Sequence, residues 1–368
     1  MKDDFWKKKK VFVTGHTGFK GGWLCLWLQK LGAQVVGYSL PPPTDPSLFQ
    51  AATVVRAMTS VIGDVRDFPQ LLDTISKHEP EVVVHMAAQS LVRRSYRDPA
   101  ETYDTNIMGT VNILEAVRLS ETAKVVIIVT SDKCYENAES CCAYREDAPL
   151  GGHDPYSSSK ACAELVTAAY RSSFFSGSGD TPGVPLIATV RAGNVIGGGD
   201  WGEDRLIPDI MKAFLAGAAP LVRNPSAVRP WQHVLDALRG YLLLAEHLWE
   251  KGSEYAQGWN FGPNPVDARS VAWVADQLAD MWGDGARWEA DRRLHPHEAQ
   301  NLILDSAKAG ELLGWRSKLS LPEALAWTCA WFKSYRDNAS MRARCEADIS
   351  AFMERQVPHQ VSPGRREA

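Results

Sequence analysis

The sequence has little of what marks a small secreted protein or a membrane protein. Its 368 residues include seven cysteines, an odd and sparse number without CxxC spacing. A disulfide scaffold is therefore excluded, and reduced thiols in a cytoplasm are expected. No apolar run approaches about 18 residues and the N-terminus lacks an apolar segment, so neither a membrane-spanning helix nor a signal peptide is expected. The net charge of −4 gives no basic footprint for nucleic acid or an anionic membrane.

The composition is that of a globular protein with a sizeable core. Hydrophobic residues make up 45% and charged residues 23% of the chain, the usual balance for a soluble fold. At about 100–200 residues per domain, the length allows two or three domains, or one large α/β unit with an added lobe. Intrinsic disorder is excluded for most of the chain.

Short apolar runs alternate with helical patterns through the first half of the chain. Strands are predicted at 11–14, 34–38, 61–62, 82–85, 124–129, 186–190 and 259–261, and helices at 19–31, 68–77, 156–170, 269–281 and 321–331. Repeated βαβ units predict an α/β fold, a Rossmann doubly wound parallel sheet with right-handed crossovers. The composition changes near residue 192, which predicts a smaller C-terminal lobe.

Three glycines occupy the turn between the first strand and the first helix. The segment reads GHTGFKG, with Gly15, Gly18 and Gly21 in GxxGxxG spacing around His16. This pattern is typical of a loop that brings a dinucleotide pyrophosphate to a helix N-terminus, although a merely tight turn gives the same glycines. The usual ribose-binding acid is missing, so the loop alone does not separate NAD from NADP. Asp64 is placed to hold the adenine edge or to cap the next helix.

Two further segments carry acid–base side chains. Tyr156 and Lys160 stand at i and i+4, on one face of the predicted helix. A lysine ammonium there favours phenolate, so it is expected to lower the tyrosine pKa and make Tyr156 a proton acceptor. Ser131, Asp132 and Lys133 follow the fifth strand, where catalytic groups of parallel sheets gather; a surface ion pair in a loop is the alternative.

Together these motifs resemble the extended short-chain dehydrogenase/reductase family. More narrowly, the chain is similar to the CDP-glucose 4,6-dehydratases, in a match that runs from about residue 5 to 335. The segments that carry this resemblance are GHTGFKG, HMAAQ, TSDKCY, DPYSSSK, RAGNVIGGGDW, DRLIPDI, RPWQHV, WNFGP and HPHEA. At Lys133 the chain departs from the related dTDP-glucose and GDP-mannose dehydratases, which have a glutamate at or near this position.

The resemblance implies a cofactor site, a substrate site and an assembly. It implies an NAD-binding domain at 1–191, to which the chain returns near 229–262. It also implies a nucleotide-sugar lobe mainly at 192–335, and a C-terminal helix and tail at 336–368. It also implies a cytoplasmic homodimer or homotetramer built through the long helices, and no metal. The cofactor site it implies contains Gly15, His16, Gly18, Phe19, Gly21, Asp64, Val65, Ala87, Ala88, Gln89, Asn106, Thr130, Tyr156 and Lys160. The substrate site it implies contains Asn194, Arg205, Arg229 and His297.

The implied reaction converts CDP-glucose to CDP-4-keto-6-deoxyglucose and water, in bacterial deoxysugar synthesis such as that of lipopolysaccharide O-antigen. Oxidation of C4 makes the C5 proton acidic, and water can then leave across C5 and C6. Such a reaction needs a base at the C4 hydroxyl (Tyr156), an acid for the leaving hydroxyl (Asp132) and a base at C5 (Lys133). The alternatives are a GDP-mannose or dTDP-glucose 4,6-dehydratase, a nucleotide-sugar 4-epimerase and a non-catalytic NAD sensor. The nucleotide base rests on the resemblance alone.

Overall fold

The structure is a computed structural model that describes residues 4–137, 143–176, 184–291, 293 and 302–357. Its strands are β1 (Lys10–Thr14), β2 (Gln34–Ser39), β3 (Thr59–Ile62), β4 (Val82–His85), β5 (Val125–Val129), β6 (Leu186–Arg191), β7 (Asn194–Ile196), β8 (Leu221–Val222), β9 (Val228–His233), β10 (Gly258–Asn260), β11 (Ala268–Ser270) and β12 (Glu289–Ala290).

The helices fill the connections between these strands and form the C-terminal part of the chain. They are α1 (Phe19–Lys30), α2 (Leu48–Ala51), α3 (Phe68–His78), α4 (Val92–Arg97), α5 (Pro99–Tyr103), α6 (Gly109–Ser120), α7 (Pro155–Phe174), α8 (Leu206–Leu215), α9 (Val234–Lys251), α10 (Val271–Trp282), α11 (Ala307–Leu313), α12 (Leu321–Arg336) and α13 (Met341–Glu354).

The main sheet has seven parallel strands in the order β10-β6-β5-β4-β1-β2-β3. This is the Rossmann order with one more parallel strand beside β6. Its inner strands are apolar on both faces: all five residues of β5, VVIIV, are buried, as a parallel sheet covered on both sides requires. The predicted α/β fold with a doubly wound parallel sheet is confirmed.

Successive residues of each strand point into different helical layers. Val11 and Val13 of β1 belong to the core that contains α1 and α9, whereas Phe12 between them belongs to the core that contains α3 and α6. This alternation follows from the two-residue period of a strand. Helices consequently cover both faces, and the carboxyl edge of the sheet is left to form the site.

The lobe adds a small sheet beside that edge. Its strands have the order β11-β9-β7, with β9 parallel to β7 and antiparallel to β11. Helices α10 and α12 pack together behind it, α9 returns to pack on β5 and β6, and α13 packs on α1 and α12. Within the described ranges, no helix combines the length and the apolar character needed to cross a membrane.

Candidate active site

A cavity of about 1100 Å³ lies where the carboxyl ends of the central strands meet the lobe. Its walls come from the turn after β1, the segments after β4, β5 and β6, the start of α7, and lobe residues near Arg205 and Arg229. Ligands of open parallel sheets bind at this edge. The volume exceeds the usual range of roughly 300–1,000 Å³ for a single small-molecule pocket.

The glycine loop after β1 has no room for a side chain at Gly15 or Gly21. Gly15 has φ +76°, and a Cβ there would lie 2.9 Å from the backbone nitrogen of Ala87. A Cβ on Gly21 would lie 2.1 Å from the Gly15 carbonyl oxygen. Helix α1 begins after Gly18 without a side-chain cap, so its first N–H groups are available to an anion. The loop therefore fits a dinucleotide pyrophosphate.

Most of the predicted cofactor residues line this cavity. They are Gly15, Gly18, Phe19, Gly21, Asp64, Val65, Ala87, Ala88, Gln89, Thr130, Tyr156 and Lys160. The Asp64 carboxylate is held by Arg66, whose Nη2 lies 2.6 Å from Asp64 Oδ2, and these bonds from Arg66 lower the Asp64 pKa. Asp64 thus stands at the cavity as a paired carboxylate.

Two predicted cofactor residues lie behind the cavity wall. The buried His16 ring has Nε2 2.7 Å from Ser60 Oγ and packs edge-on against Phe49. Asn106 donates to the Gln89 carbonyl at 3.0 Å and accepts from the Gln89 backbone N–H at 2.8 Å. Neither side chain is part of the lining. Asn106 instead fixes the backbone of the segment that carries Gln89.

Ser131, Asp132 and Lys133 form the rim of the cavity directly after β5. A single 3₁₀ turn begins here because Ser131 Oγ accepts from the Lys133 backbone N–H at 3.2 Å. Ser131 Oγ also donates to Asp132 Oδ1 at 2.9 Å. Burial raises the Asp132 pKa, and Lys133, Ser131 and the nearby Lys20 only partly oppose this. A carboxyl group that keeps its proton more readily is suited to act as an acid.

Tyr156 and Lys160 reach the same end of the cavity from α7. Asp154 caps this helix, accepting from the Ser157 backbone N–H at 2.9 Å, and this places Tyr156 in its first turn. Burial raises the Tyr156 pKa to about 12, although a hydrogen bond with Ser131 opposes the rise. The structure thus brings Tyr156, Ser131 and Asp132 together.

The expected effect of Lys160 on the Tyr156 pKa is wrong for this structure. Lys160 Nζ donates to the Val129 carbonyl oxygen at 3.3 Å, and the largest effects on the Tyr156 pKa come from burial and from Ser131 and Asp132. Burial lowers the pKa of Lys160 itself to about 8, while Glu164 raises it. Desolvation is the reason for the difference, because it is the largest effect on the Tyr156 pKa and it disfavours the charged phenolate.

The lobe supplies the predicted substrate residues. Asn194, Arg205 and Arg229 all line the cavity. Arg205 Nη1 lies 3.0 Å from Asp200 Oδ2, and its Nη2 donates to Ser90 Oγ at 3.0 Å. Asn194 Nδ2 donates to the Pro230 carbonyl at 3.3 Å, which ties β7 to β9. The fourth predicted residue, His297, lies outside the described residues.

A match to a protein-family model decides the family. The model for GDP-mannose 4,6 dehydratase matches residues 12–328, which covers both the sheet and most of the lobe. The chain belongs to the GDP-mannose 4,6 dehydratase family. With 50% identity, it is similar to a CDP-glucose 4,6-dehydratase of Salmonella typhimurium over 95% of this chain and 98% of the relative. A dTDP-glucose 4,6-dehydratase of Streptomyces antibioticus is 32% identical over 77% of both chains.

Solved structures show how widely this fold is shared. A UDP-glucose 4-epimerase of Brucella ovis in complex with NAD superposes with a TM-score of 0.73 at 26% identity, covering 87% of this chain and 97% of the other. A UDP-glucose 4-epimerase of Thermotoga maritima gives 0.77 at 23% identity, covering 89% and 99%. Similarity of fold therefore does not distinguish dehydratases from epimerases. The distinction depends on the side chains in the cavity.

The sequence analysis missed several charged residues of this family member's cavity. Lys20, Arg93, Asp204 and Arg223 all line it, and Asp204 accepts from Arg223 Nη1 at 2.9 Å. Lys20 stands inside the glycine loop, between Phe19 and Gly21, where a charged side chain faces either solvent or the site. Its position in the glycine loop could therefore have identified Lys20 as a candidate site residue from the sequence.

Proposed function

We propose that this protein is an NAD-dependent hydro-lyase that converts CDP-glucose to CDP-4-keto-6-deoxyglucose and water. The observation that carries the proposal is its extensive identity to a CDP-glucose 4,6-dehydratase. The cavity agrees with that activity, since it contains Tyr156, Asp132 and Lys133 together. An epimerase would need the tyrosine but not an acid–base pair after Ser131.

The cofactor is NAD, bound along the glycine loop and the segments after β3 and β4. Bound NAD supplies an acceptor for the C4 hydride and later the donor that returns this hydride to C6. We propose that the N–H groups at the start of α1 hold the pyrophosphate, and that Asp64 and Val65 border the adenine end. Ala87, Ala88, Gln89 and Thr130 extend the lining toward Tyr156.

We propose that the protein side chains move three protons. Tyr156, supported by Ser131, accepts the proton of the C4 hydroxyl, which leaves a ketone at C4. Lys133 removes the C5 proton, which that ketone has made acidic, and returns a proton to C5 when the hydride reaches C6. Asp132, whose pKa burial raises, protonates the C6 hydroxyl so that it leaves as water. Lys160 borders the same site and remains fixed to the end of β5.

The sugar nucleotide is proposed to lie on the lobe side of the cavity. Arg229 and Arg205 are the cations expected at its diphosphate, because guanidinium groups bind phosphate oxygens in pairs. Asn194 and His297 are proposed to contact the same ligand. This assigns 1–191 mainly to the cofactor, 192–335 mainly to the sugar nucleotide with returns to the sheet near 229–262, and 336–368 to a C-terminal helix and tail.

A homodimer or homotetramer is proposed through α6 and α7. Leu165 and Phe174 on α7 are 58% and 55% exposed, and Leu119 on α6 is 48% exposed. The two helices pack side by side, so these apolar side chains are suited to cover the same helices of a second copy. Analytical ultracentrifugation should show an oligomer that Leu165→Glu weakens; a monomeric wild type would contradict the proposal.

The proposed setting is the cytoplasm, in deoxysugar synthesis such as that of lipopolysaccharide O-antigen. Buried, unbridged thiols support a reducing compartment, since Cys25, Cys134, Cys329 and Cys345 are all free. Recovery of the active protein outside the cytoplasmic fraction of its native cells would contradict this setting.

A panel of sugar nucleotides tests the proposed substrate. The full-length protein with NAD should be incubated with CDP-glucose, dTDP-glucose, UDP-glucose and GDP-mannose, and products identified by NMR. We expect kcat/KM for CDP-glucose to exceed the others by at least about 100-fold. Faster turnover of another nucleotide would reassign the substrate, and a C4 epimer as product would reassign the reaction.

A further inference from the structure

Lys20 belongs to the glycine loop after β1, but its side chain points toward the end of the cavity that holds Asp132 and Lys160. It stands in the first turn of α1, where its partly buried side chain lines the cavity. Its Nζ donates to the Tyr241 hydroxyl at 3.2 Å and lies 5.5 Å from the centre of that ring. Tyr241 is itself buried on α9, so the amine is held between two helices.

The groups around Lys20 are mostly cationic. Lys160 from α7 and Arg205 from the start of α8 both lower its pKa, whereas Asp132 after β5 raises it. Arg205 has Asp200 as an ion-pair partner. Lys20 takes part in none of the ion pairs within the described ranges, and its amine donates a hydrogen bond to the Tyr241 hydroxyl. Burial is the largest effect, and together these lower the Lys20 pKa to about 7.

We propose that Lys20 is an electrostatic positioning residue that gains a proton when the cofactor is reduced and loses it when the cofactor is oxidised. The inference rests on the proposed NAD-dependent function. The oxidised nicotinamide ring carries a positive charge and the reduced ring does not. A cation in the same desolvated cavity is therefore disfavoured beside the oxidised form, because like charges repel most strongly where water is excluded.

The proton balance of the reaction gives this coupling a use. Oxidation at C4 turns a hydroxyl into a ketone by loss of one hydride and one proton. Tyr156 first accepts that hydroxyl proton, and its onward transfer to Lys20 leaves the charge of the cavity unchanged, because the amine gains the positive charge that the nicotinamide ring loses. Release of that proton when the hydride returns to C6 restores the starting state, so no net proton is gained or lost over the cycle.

The coupling must also appear in cofactor binding, because linkage is reciprocal. If the positive ring lowers the Lys20 pKa, raising the pH through 7 must strengthen NAD⁺ binding relative to NADH. Each unit by which the Lys20 pKa differs between the NAD⁺ and NADH complexes corresponds to about a tenfold change in the ratio of the two affinities. The buried neighbours His16 and His85 do not titrate near pH 7, because burial lowers their pKa to about 4 and about 3, and Lys160, whose pKa burial lowers to about 8, titrates mainly above pH 7.5.

The test measures the dissociation constants of NAD⁺ and NADH by tryptophan fluorescence between pH 6.0 and 7.5. For the full-length wild type we expect the ratio of NAD⁺ to NADH constants to fall by about three- to tenfold across this range. Lys20→Met should hold the ratio constant within about twofold. Lys20→Arg, which keeps the charge at every pH, should hold it at or above the wild-type value at pH 6.0.

Lys30→Met is the matched control, because Lys30 is exposed at the other end of the same helix; it should keep the wild-type slope. A wild-type ratio that does not vary with pH would overturn the inference, as would an unchanged slope in Lys20→Met. If Lys20→Met does not fold, a pH-dependent ratio in Lys20→Arg would overturn it and a flat one would support it. A wild type that binds both forms but turns over no sugar nucleotide would contradict the proposed function and leave the coupling measurable.

Discussion

At the scale of single residues, burial sets the proton affinities of the site before any ligand arrives. It raises the pKa of both Tyr156 and Asp132 and lowers that of Lys160. Asp132 is thereby suited to donate a proton. Burial favours the neutral phenol of Tyr156 in the protein alone, and the positive charge of an oxidised nicotinamide ring bound in the cavity would lower the Tyr156 pKa and favour proton acceptance.

Replacing Tyr156 by phenylalanine should block the first oxidation. The variant loses the acceptor of the C4-hydroxyl proton, so turnover should fall by roughly 10²–10⁴-fold. Single-turnover absorbance should show no transient reduced cofactor. A normal burst of reduced cofactor in this variant would remove Tyr156 from that role.

Replacing Lys133 by methionine should separate oxidation from dehydration. Lys133 lies beside Asp132 on the rim, where we propose that it takes the C5 proton. In deuterated water the variant should still reduce its cofactor, but C5 exchange and water loss should fall by at least about 10²-fold. Dehydration at nearly the wild-type rate would mean that Lys133 only pairs with Asp132 and that another group is the base.

Arg229→Ala should weaken sugar-nucleotide binding without affecting NAD. The guanidinium lines the lobe side of the cavity from β9, so its loss should raise KM by at least about tenfold, the effect of a lost charge-assisted hydrogen bond. Arg269→Ala is the control, because Arg269 is exposed, pairs with Arg229 across the strands and is outside the lining. An unchanged KM in Arg229→Ala would count against the assignment.

At the scale of elements, one helix connects the site to a buried ionic network. Tyr156, Lys160 and Glu164 follow one another at i+4 intervals along α7. Glu164 accepts from Arg191 Nε at 2.8 Å and from Thr130 Oγ1 at 2.5 Å, and Arg191 is also buried. Burial opposes the Glu164 charge, but these bonds lower its pKa below the usual value. The network thus fixes α7 against the ends of β5 and β6.

Arg191→Met should destabilise the fold more than the loss of a surface ion pair does, because it leaves the Glu164 carboxylate buried without its cation. We expect a loss of about 3–5 kcal/mol, seen as a lower urea midpoint. Arg118→Met is the control: its pair with Glu115 is at the helix surface and is worth less than about 1 kcal/mol. Equal midpoint shifts in the two variants would contradict this account.

Elements with a clear period were predictable from sequence, and those built by distant contacts were not. The predicted range 82–85 coincides with β4, and 124–129 begins one residue before β5, because their side chains are uniformly apolar. Strand β9 reads VRPWQH and contains a proline, so it lacks a strand pattern. It forms because β7 and β11 pair with it.

The candidate site shows the same division. The rim residues after β5 could be placed from sequence because catalytic groups gather at strand ends. The Lys160 contact and the orientation of Lys20 could not, since each depends on burial by several elements. The partner of Lys20, Tyr241, lies 221 residues away along the chain, and no local pattern connects the two.

At the scale of the whole molecule, the site exists only where sheet and lobe meet. The sheet provides the glycine loop and the rim after β5, and the lobe provides Arg205 and Arg229. Cofactor and sugar can therefore react in one cavity without either leaving. The proposed reaction in turn requires that the hydride taken from C4 returns to the same sugar molecule.

The fate of a label at C4 tests this requirement most directly. CDP-glucose deuterated at C4 should be converted by the full-length protein with unlabelled NAD, and the product analysed by NMR and mass spectrometry. We predict that the deuterium appears at C6 of the 4-keto-6-deoxy product, with nearly complete retention at low turnover. Deuterium retained at C4, or lost from the sugar, would contradict an internal hydride transfer.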